Sequence, residues 1–113
     1  MMRVLRNLRT GAVIAGSVHV AATPGSRELR LLARDVVRHD DGLWLDGCVE
    51  IDTFGMRAGI DVIFLDARGG VLATYRRIPP NHRPIRCAHA SSAVQLGISP
   101  DRDLRHGDVL VLD

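Results

Sequence analysis

Ile60-Asp61-Val62-Ile63-Phe64-Leu65 is an apolar run broken by one carboxylate, and it restricts the possible folds more than any other stretch. After Asp61 both faces of this segment are apolar, so it reads as a strand placed centrally in a sheet. Asp66 ends it, Ala67-Arg68-Gly69-Gly70 supplies a turn, and residues 71–78 read as the antiparallel partner. Gly70 is expected to take the positive φ that such a turn needs. The surrounding stretch, 42–75, holds the only tryptophan and tyrosine and both phenylalanines. Aromatics are otherwise scarce, so Val, Leu, Ile and Ala must fill the interior.

The flanking segments follow the same logic. Residues 3–9 read as a first strand, with Thr10-Gly11 as its turn. From Ala12 the period is two, with Ile14, Gly16, Val18 and Val20 on one face and Ala15, Ser17 and His19 on the other. Thr23-Pro24 is a helix-start signature, and Leu29, Leu32, Ala33 and Val36 then share one helical face. Residues 43–45 read as a short strand and 46–57 as a partly buried irregular loop. Three prolines make 78–84 a loop. A strand is expected over 88–96, a helical turn near 100–104 after Ser99-Pro100-Asp101, and a last strand over 109–112. The expected fold is mainly β: a small β-barrel or two-sheet sandwich of about six or seven short strands, with one principal helix near 24–34.

At 113 residues the chain forms a single domain with a core of its own. All 15 positive side chains are arginine, yet the formal net charge is only +2, below what nonspecific nucleic-acid binding ordinarily requires. No stretch reaches the ~20 apolar residues of a membrane span. Arg3, Arg6 and Arg9 precede an apolar segment as in a signal peptide, but Gly16, Ser17 and His19 break it and its alternation suits a strand. The two cysteines, Cys48 and Cys87, lack C-x-x-C spacing and fit free thiols in a reducing compartment, so a cytoplasmic location is expected.

Asp61 is the residue with the clearest chemical demand. A bare carboxylate in an apolar strand costs several kcal/mol, so a partner is required, with Arg27 and Arg57 as the candidates. Trp44, Cys48, Asp52, Thr53 and Met56 gather around the irregular loop, where aromatic and sulfur side chains beside glycines can line a small pocket. With Arg27, Arg57 and Asp61 they make one candidate ligand site; packing alone is the competing explanation. Arg76, Arg77, Arg83 and Arg86 crowd the 76–86 segment and form a candidate surface for an anion or an acidic partner. Among Cys48, Cys87, His82 and His89 there is no metal-ligand spacing, and Gly69-Gly70 belongs to a hairpin and not to a phosphate loop. Neither a metal nor a cofactor is expected.

Three blocks of residues carry a resemblance over nearly the whole chain. They are Asn7-Leu8-Arg9-Thr10-Gly11 with Ser26-Arg27, Leu31-Leu32 and Arg34; Gly42-Leu43-Trp44-Leu45, Cys48, Thr53-Phe54-Gly55-Met56-Arg57, residues 60–66 and Gly70; and Val94, Leu96 and Gly107-Asp108. In this order and spacing the chain resembles domain-of-unknown-function family 192. The resemblance implies a mostly β fold and no assigned activity, and the family commonly carries histidine where Asp52 stands. Three functions follow as expectations. The first is a non-enzymatic binding or accessory domain with a cleft beside the 44–56 loop, taking a small molecule or protein. The second is an enzyme for a small anionic substrate, with Asp61 as acid–base group. The third is an interaction domain that uses edge strands or the basic segment.

Overall fold

The structure is a computed structural model. It describes residues 2–21 and 27–113, with the backbone alone over 27–30. The Thr23-Pro24 helix start and the Arg27 side chain lie outside the described residues.

Strand β1 (Arg3–Asn7) and strand β2 (Val13–Ala21) pair antiparallel across the Thr10-Gly11 turn, where Gly11 takes φ +73°. A register shift in this pair lets the neighbours Ile14 and Ala15 both be buried. The chain then crosses through helix α1 (Arg27–Arg34) to strand β3 (Asp41–Asp46), which lies parallel to β2. A parallel neighbour cannot be reached through a tight turn, and α1 supplies the crossover. Strand β4 (Glu50–Ile51) is short, and the hairpin of strand β5 (Ile60–Leu65) and strand β6 (Val71–Ile78) pairs antiparallel as the run of apolar residues predicts. Strands β7 (Ile85–Arg86), β8 (Ser92–Gly97) and β9 (Leu110–Leu112) complete the order.

The fold is mainly β. One mixed sheet of seven strands runs β6-β5-β8-β3-β2-β1-β9, and β4 and β7 form a separate two-stranded ribbon. The edge strands β6 and β9 are not ladder partners, but their ends meet at the Gly70–Val109 bridge. Three backbone hydrogen bonds fasten this seam: Leu110 N–H to Gly69 O, Val71 N–H to Asp108 O and Gly107 N–H to Val71 O. Both faces of the sheet are covered. Leu5, Val18, Ile63, Val94, Leu96 and Leu110 fill one core cluster, and Val36, Leu45, Ile51, Val62, Phe64 and Ile78 fill the other. β5 is buried along its whole length because it contributes to both.

Three local expectations need correction. The strand expected over 88–96 begins only at Ser92, since Ala90 N–H bonds Cys87 O in a turn and Ser91 N–H bonds Leu65 O. The helical turn near 100–104 is a simple turn at Pro100 and Asp101 followed by irregular chain. Arg102 holds it open by reaching inward to β5, β8 and His39. Positive φ at the hairpin belongs to Gly69, at +84°, and not to Gly70.

Candidate functional site

Asp61 points to the same side of β5 as Ile63 and lies opposite Leu96 of β8. It is 1% exposed. The β5–β6 register slips beside it, and Arg77, at φ +53°, turns its backbone N–H onto Asp61 Oδ1 at 2.8 Å. Arg102 Nη1 donates to Asp61 Oδ2 at 2.7 Å, and Arg76 Nε stands 3.2 Å from the same oxygen. The Arg102 side chain is itself 3% exposed. It also donates from Nη1 to Gly97 O at 2.6 Å and from Nη2 to His39 O at 2.5 Å, so that Nε is the one guanidinium nitrogen without a partner among the described residues. Burial pulls the Arg102 pKa down, while the charge of Asp61 and its hydrogen bond push it back up. Charge-assisted bonds of this kind offset the loss of hydration only when the geometry is good on both sides, as it is here.

Above this ion pair the fold leaves a cleft of about 450 Å³. The β1–β2 turn and the start of β2 contribute Thr10, Ala12, Val13 and Ile14 to its lining, and the chain around His39 and Asp40 and the 99–103 segment contribute the rest, Arg102 included. Asp40 is fixed by Gly16 N–H, which donates to its Oδ1 at 2.7 Å. Asp103 pairs with Arg9 at 3.2 Å, whereas Asp101 is exposed. A second, smaller cleft of about 180 Å³ lies where α1 meets β2 and β3, lined by His19, Leu32, Asp35 and Leu43 among others.

The residues expected to form one site around the 44–56 loop are divided by the sheet. Trp44 aligns with Val94 and packs, half-buried, against the cluster on the Asp61 side, its Nε1–H on Asp46 Oδ1 at 2.7 Å. Cys48 and Met56 belong to the opposite cluster. The buried Cys48 thiol donates to Glu50 O at 3.1 Å, and burial raises its pKa. Asp52 is exposed and accepts the N–H of Phe54. Thr53 is buried, donating to Pro79 O at 2.7 Å and accepting from His82 N–H at 2.9 Å. Strand alternation accounts for the side that Trp44 takes, since its β3 neighbours Leu43 and Leu45 pack in the cluster with Cys48 and Met56.

None of Trp44, Cys48, Asp52, Thr53, Met56, Arg57 and Asp61 lines either of these two clefts. Of the two expected partners of Asp61, the Arg27 side chain lies outside the described residues and Arg57 stands elsewhere. Arg57 is exposed and lies 3.9 Å from Asp35, while Arg102 and Arg76 take the carboxylate. Arg76 also bonds Ser99 O, while its side chain stays 36% exposed. Arg77, Arg83 and Arg86 remain exposed. Sequence reasoning missed Arg102, His39 and Asp40. The one available signal was the demand of Asp61 for a cation, which does not say which of the arginines answers it.

No curated protein matches the chain. Among solved structures, a candidate transcription regulator from Sinorhizobium meliloti 1021 has a TM-score of 0.75 at 18% identity, covering 99% of this chain and 94% of that one. A protein of unknown function from Novosphingobium aromaticivorans DSM 12444 has a TM-score of 0.73 at 13% identity, covering 98% of this chain and 84% of that one. Likeness at such identities concerns the fold alone. The model of the family described as "Uncharacterized ACR", domain-of-unknown-function family 192, matches residues 6–111, and the chain belongs to that family.

Proposed function

We propose that the chain is a non-enzymatic binding domain that holds a small amine- or hydroxyl-bearing molecule in the cleft above Arg102. The cleft itself carries this reading. Its volume of about 450 Å³ falls within the range of small-ligand pockets, and its lining combines apolar side chains with carboxylates. Asp40 and Asp101 would accept hydrogen bonds from the ligand's polar end, while Ala12, Val13 and Ile14 would receive its apolar part. The floor is preorganised, because the Arg102–Asp61 pair ties it to β5 and β8.

The same pair speaks against the enzymatic alternative. Asp61 already receives Arg102, Arg76 and the Arg77 N–H, which leaves it little freedom to move a proton. We read the curled sheet as a barrel-like body with its seam at Gly70–Val109, so that the cleft lies at one end. Both cysteines are free thiols, which supports a reducing, cytoplasmic setting.

Amide resonances followed while amines, amino alcohols and sugars are added one at a time test the proposal. A binder should shift Val13, His39, Asp40 and Asp101 together, and Asp101→Arg should weaken it. Shifts confined to the 44–56 loop, or no response to any compound, would count against the cleft.

A further inference from the structure

Residues 48–57 and 79–87 form a ribbon that lies away from the cleft, and the strangest side chain of the molecule sits on it. Phe54 is 82% exposed. Alternation along the segment explains its direction: Ile51 and Thr53 turn inward at 4% and 1% exposure, and Phe54 turns out. It does not explain its chemistry, since an outward position on a loop needs no aromatic ring.

The loop that carries Phe54 is held firmly. Thr53 O accepts from Asn81 N–H at 2.9 Å and from Met56 N–H at 3.2 Å, and Gly55 N–H reaches Asn81 Oδ1 at 3.0 Å. Thr53 Oγ1 bridges Pro79 O and His82 N–H. Gly55 and Asn81, one on each loop, take φ of +74° and +59°, so the chain is turned sharply on both sides to make these bonds. An apolar side chain presented on an ordered support loses little freedom when it binds, the usual character of an interface anchor.

The rim around this anchor is basic. His82, Arg83 and Arg86 are exposed on the same ribbon, and Arg57 follows on the Phe54 loop. Two exposed carboxylates, Glu50 and Asp52, share the ribbon, and the three arginines Arg57, Arg83 and Arg86 outnumber them. We propose that this ribbon is a docking surface, with Phe54 entering an apolar pocket on an acidic partner protein and Arg83 and Arg86 pairing with carboxylates around that pocket. A second copy of the chain is disfavoured as the occupant, since two basic rims would face each other. A single exposed aromatic ring is also a slight anchor for a lipid surface.

Replacement of Phe54 by the photoreactive benzoylphenylalanine, in the cells that make the protein, tests this. The expected product is a heterologous protein cross-linked at position 54. The purified partner should then bind the unmodified chain with affinity that falls as salt rises. Phe54→Ser and Arg83→Glu should each weaken binding about tenfold or more, and Val13→Ser in the cleft should not. Phe54→Ser should leave the thermal midpoint unchanged. The proposal is overturned if the only cross-links are to a second copy or to lipid, if none forms, or if Phe54→Ser destabilises the fold and so reveals a packing role. Retention on phosphatidylglycerol vesicles that depends on Phe54, with no protein product, assigns the surface to membranes and also overturns it.

Discussion

Asp61 and Arg102 join three segments distant in sequence: the start of β5, the end of β8 with its following turn, and the chain after α1 at His39. Removing one charge while leaving the other is the damaging change, because a buried charge without a partner is worse than no charge. Asp61→Ala is therefore expected to cost about 3–5 kcal/mol in urea unfolding. Replacing both partners by apolar residues, as in Asp61→Leu with Arg102→Met, should return much of that loss. If Asp61→Ala were as stable as the parent, the pair would be structurally idle and a chemical role for Asp61 would regain force. The need for a partner was legible in the sequence from one carboxylate inside an apolar run. The partner was not, since contact depends on a turn after β8 that brings Arg102 back over the strand, and a chain whose cations are all arginine offers no distinguishing residue. The cysteines differ at the same scale. Cys48 is buried and its thiol is pushed up by burial, whereas Cys87 is only half-buried. A thiol reagent should label Cys87 first, which peptide mass spectrometry after timed quenching can establish.

The β5–β6 hairpin was legible because a doubly buried strand followed by two glycines has few other readings, and its antiparallel pairing runs from Ile60–Ile78 to Leu65–Val71. The element errors arose where local pattern and tertiary contact disagree. The alternation over 88–96 cannot reveal that the segment turns at Cys87–Ala90 so that β7 can pair with β4. Period-two residues in β2 and β3 look alike whether their strands run parallel or antiparallel, so the parallel pair was invisible as well. At the hairpin the two glycines do different work. Gly69 has positive φ, and a Cβ there would stand 2.5 Å from Leu110 O, on the strand across the seam. Gly70 would instead meet the Asp66 carboxylate, which caps the turn by accepting Gly70 N–H and Arg68 N–H. Those two N–H donors also hold the Asp66 carboxyl below its ordinary pKa. Gly69→Ala should thus cost more than Gly70→Ala, where a side chain can swing aside. Gly97→Ala should also be severe, since its Cβ would come 1.8 Å from Arg38 O. Each of the severe changes is expected to cost about 1–3 kcal/mol or more. Thermal midpoints of the three alanine variants would reveal the order, and a Gly70→Ala variant weaker than the other two would contradict it.

For the molecule as a whole, the seam at Gly70–Val109 ties the edge that carries β9 to the β5–β6 hairpin at the other edge of the sheet. Asp108 sits at that seam, its carbonyl bonded to Val71 N–H at 2.7 Å and its carboxylate turned inward. Arg9 Nε donates to Oδ1 at 2.7 Å, and Asn7 Nδ2 and Arg105 N–H donate to Oδ2, each at 2.9 Å. Foremost the hydrogen bond from Arg9, and then those from Asn7 and Arg105, hold the Asp108 carboxyl well below the usual carboxylate range against the opposing effect of burial. The sign of the pH effect follows. Because the folded chain binds this proton less readily than the unfolded chain, the stability from Asp108 is complete above the ordinary value near 3.8 and drains away as pH falls towards the folded value. Acid should therefore loosen β9 from β1 and β6 as Asp108 takes up its proton, ahead of the β5–β8 ladder at the middle of the sheet. Hydrogen exchange at successively lower pH should show Val71, Leu110 and Leu112 losing protection ahead of Val62 and Val94. Asp108→Asn should lower stability at neutral pH and flatten its decline between about pH 4 and pH 2, since the titrating group is gone. Parallel acid limbs for variant and parent would show that some other carboxylate governs acid unfolding. Simultaneous loss of protection across all strands would mean that the seam opens only with the whole molecule.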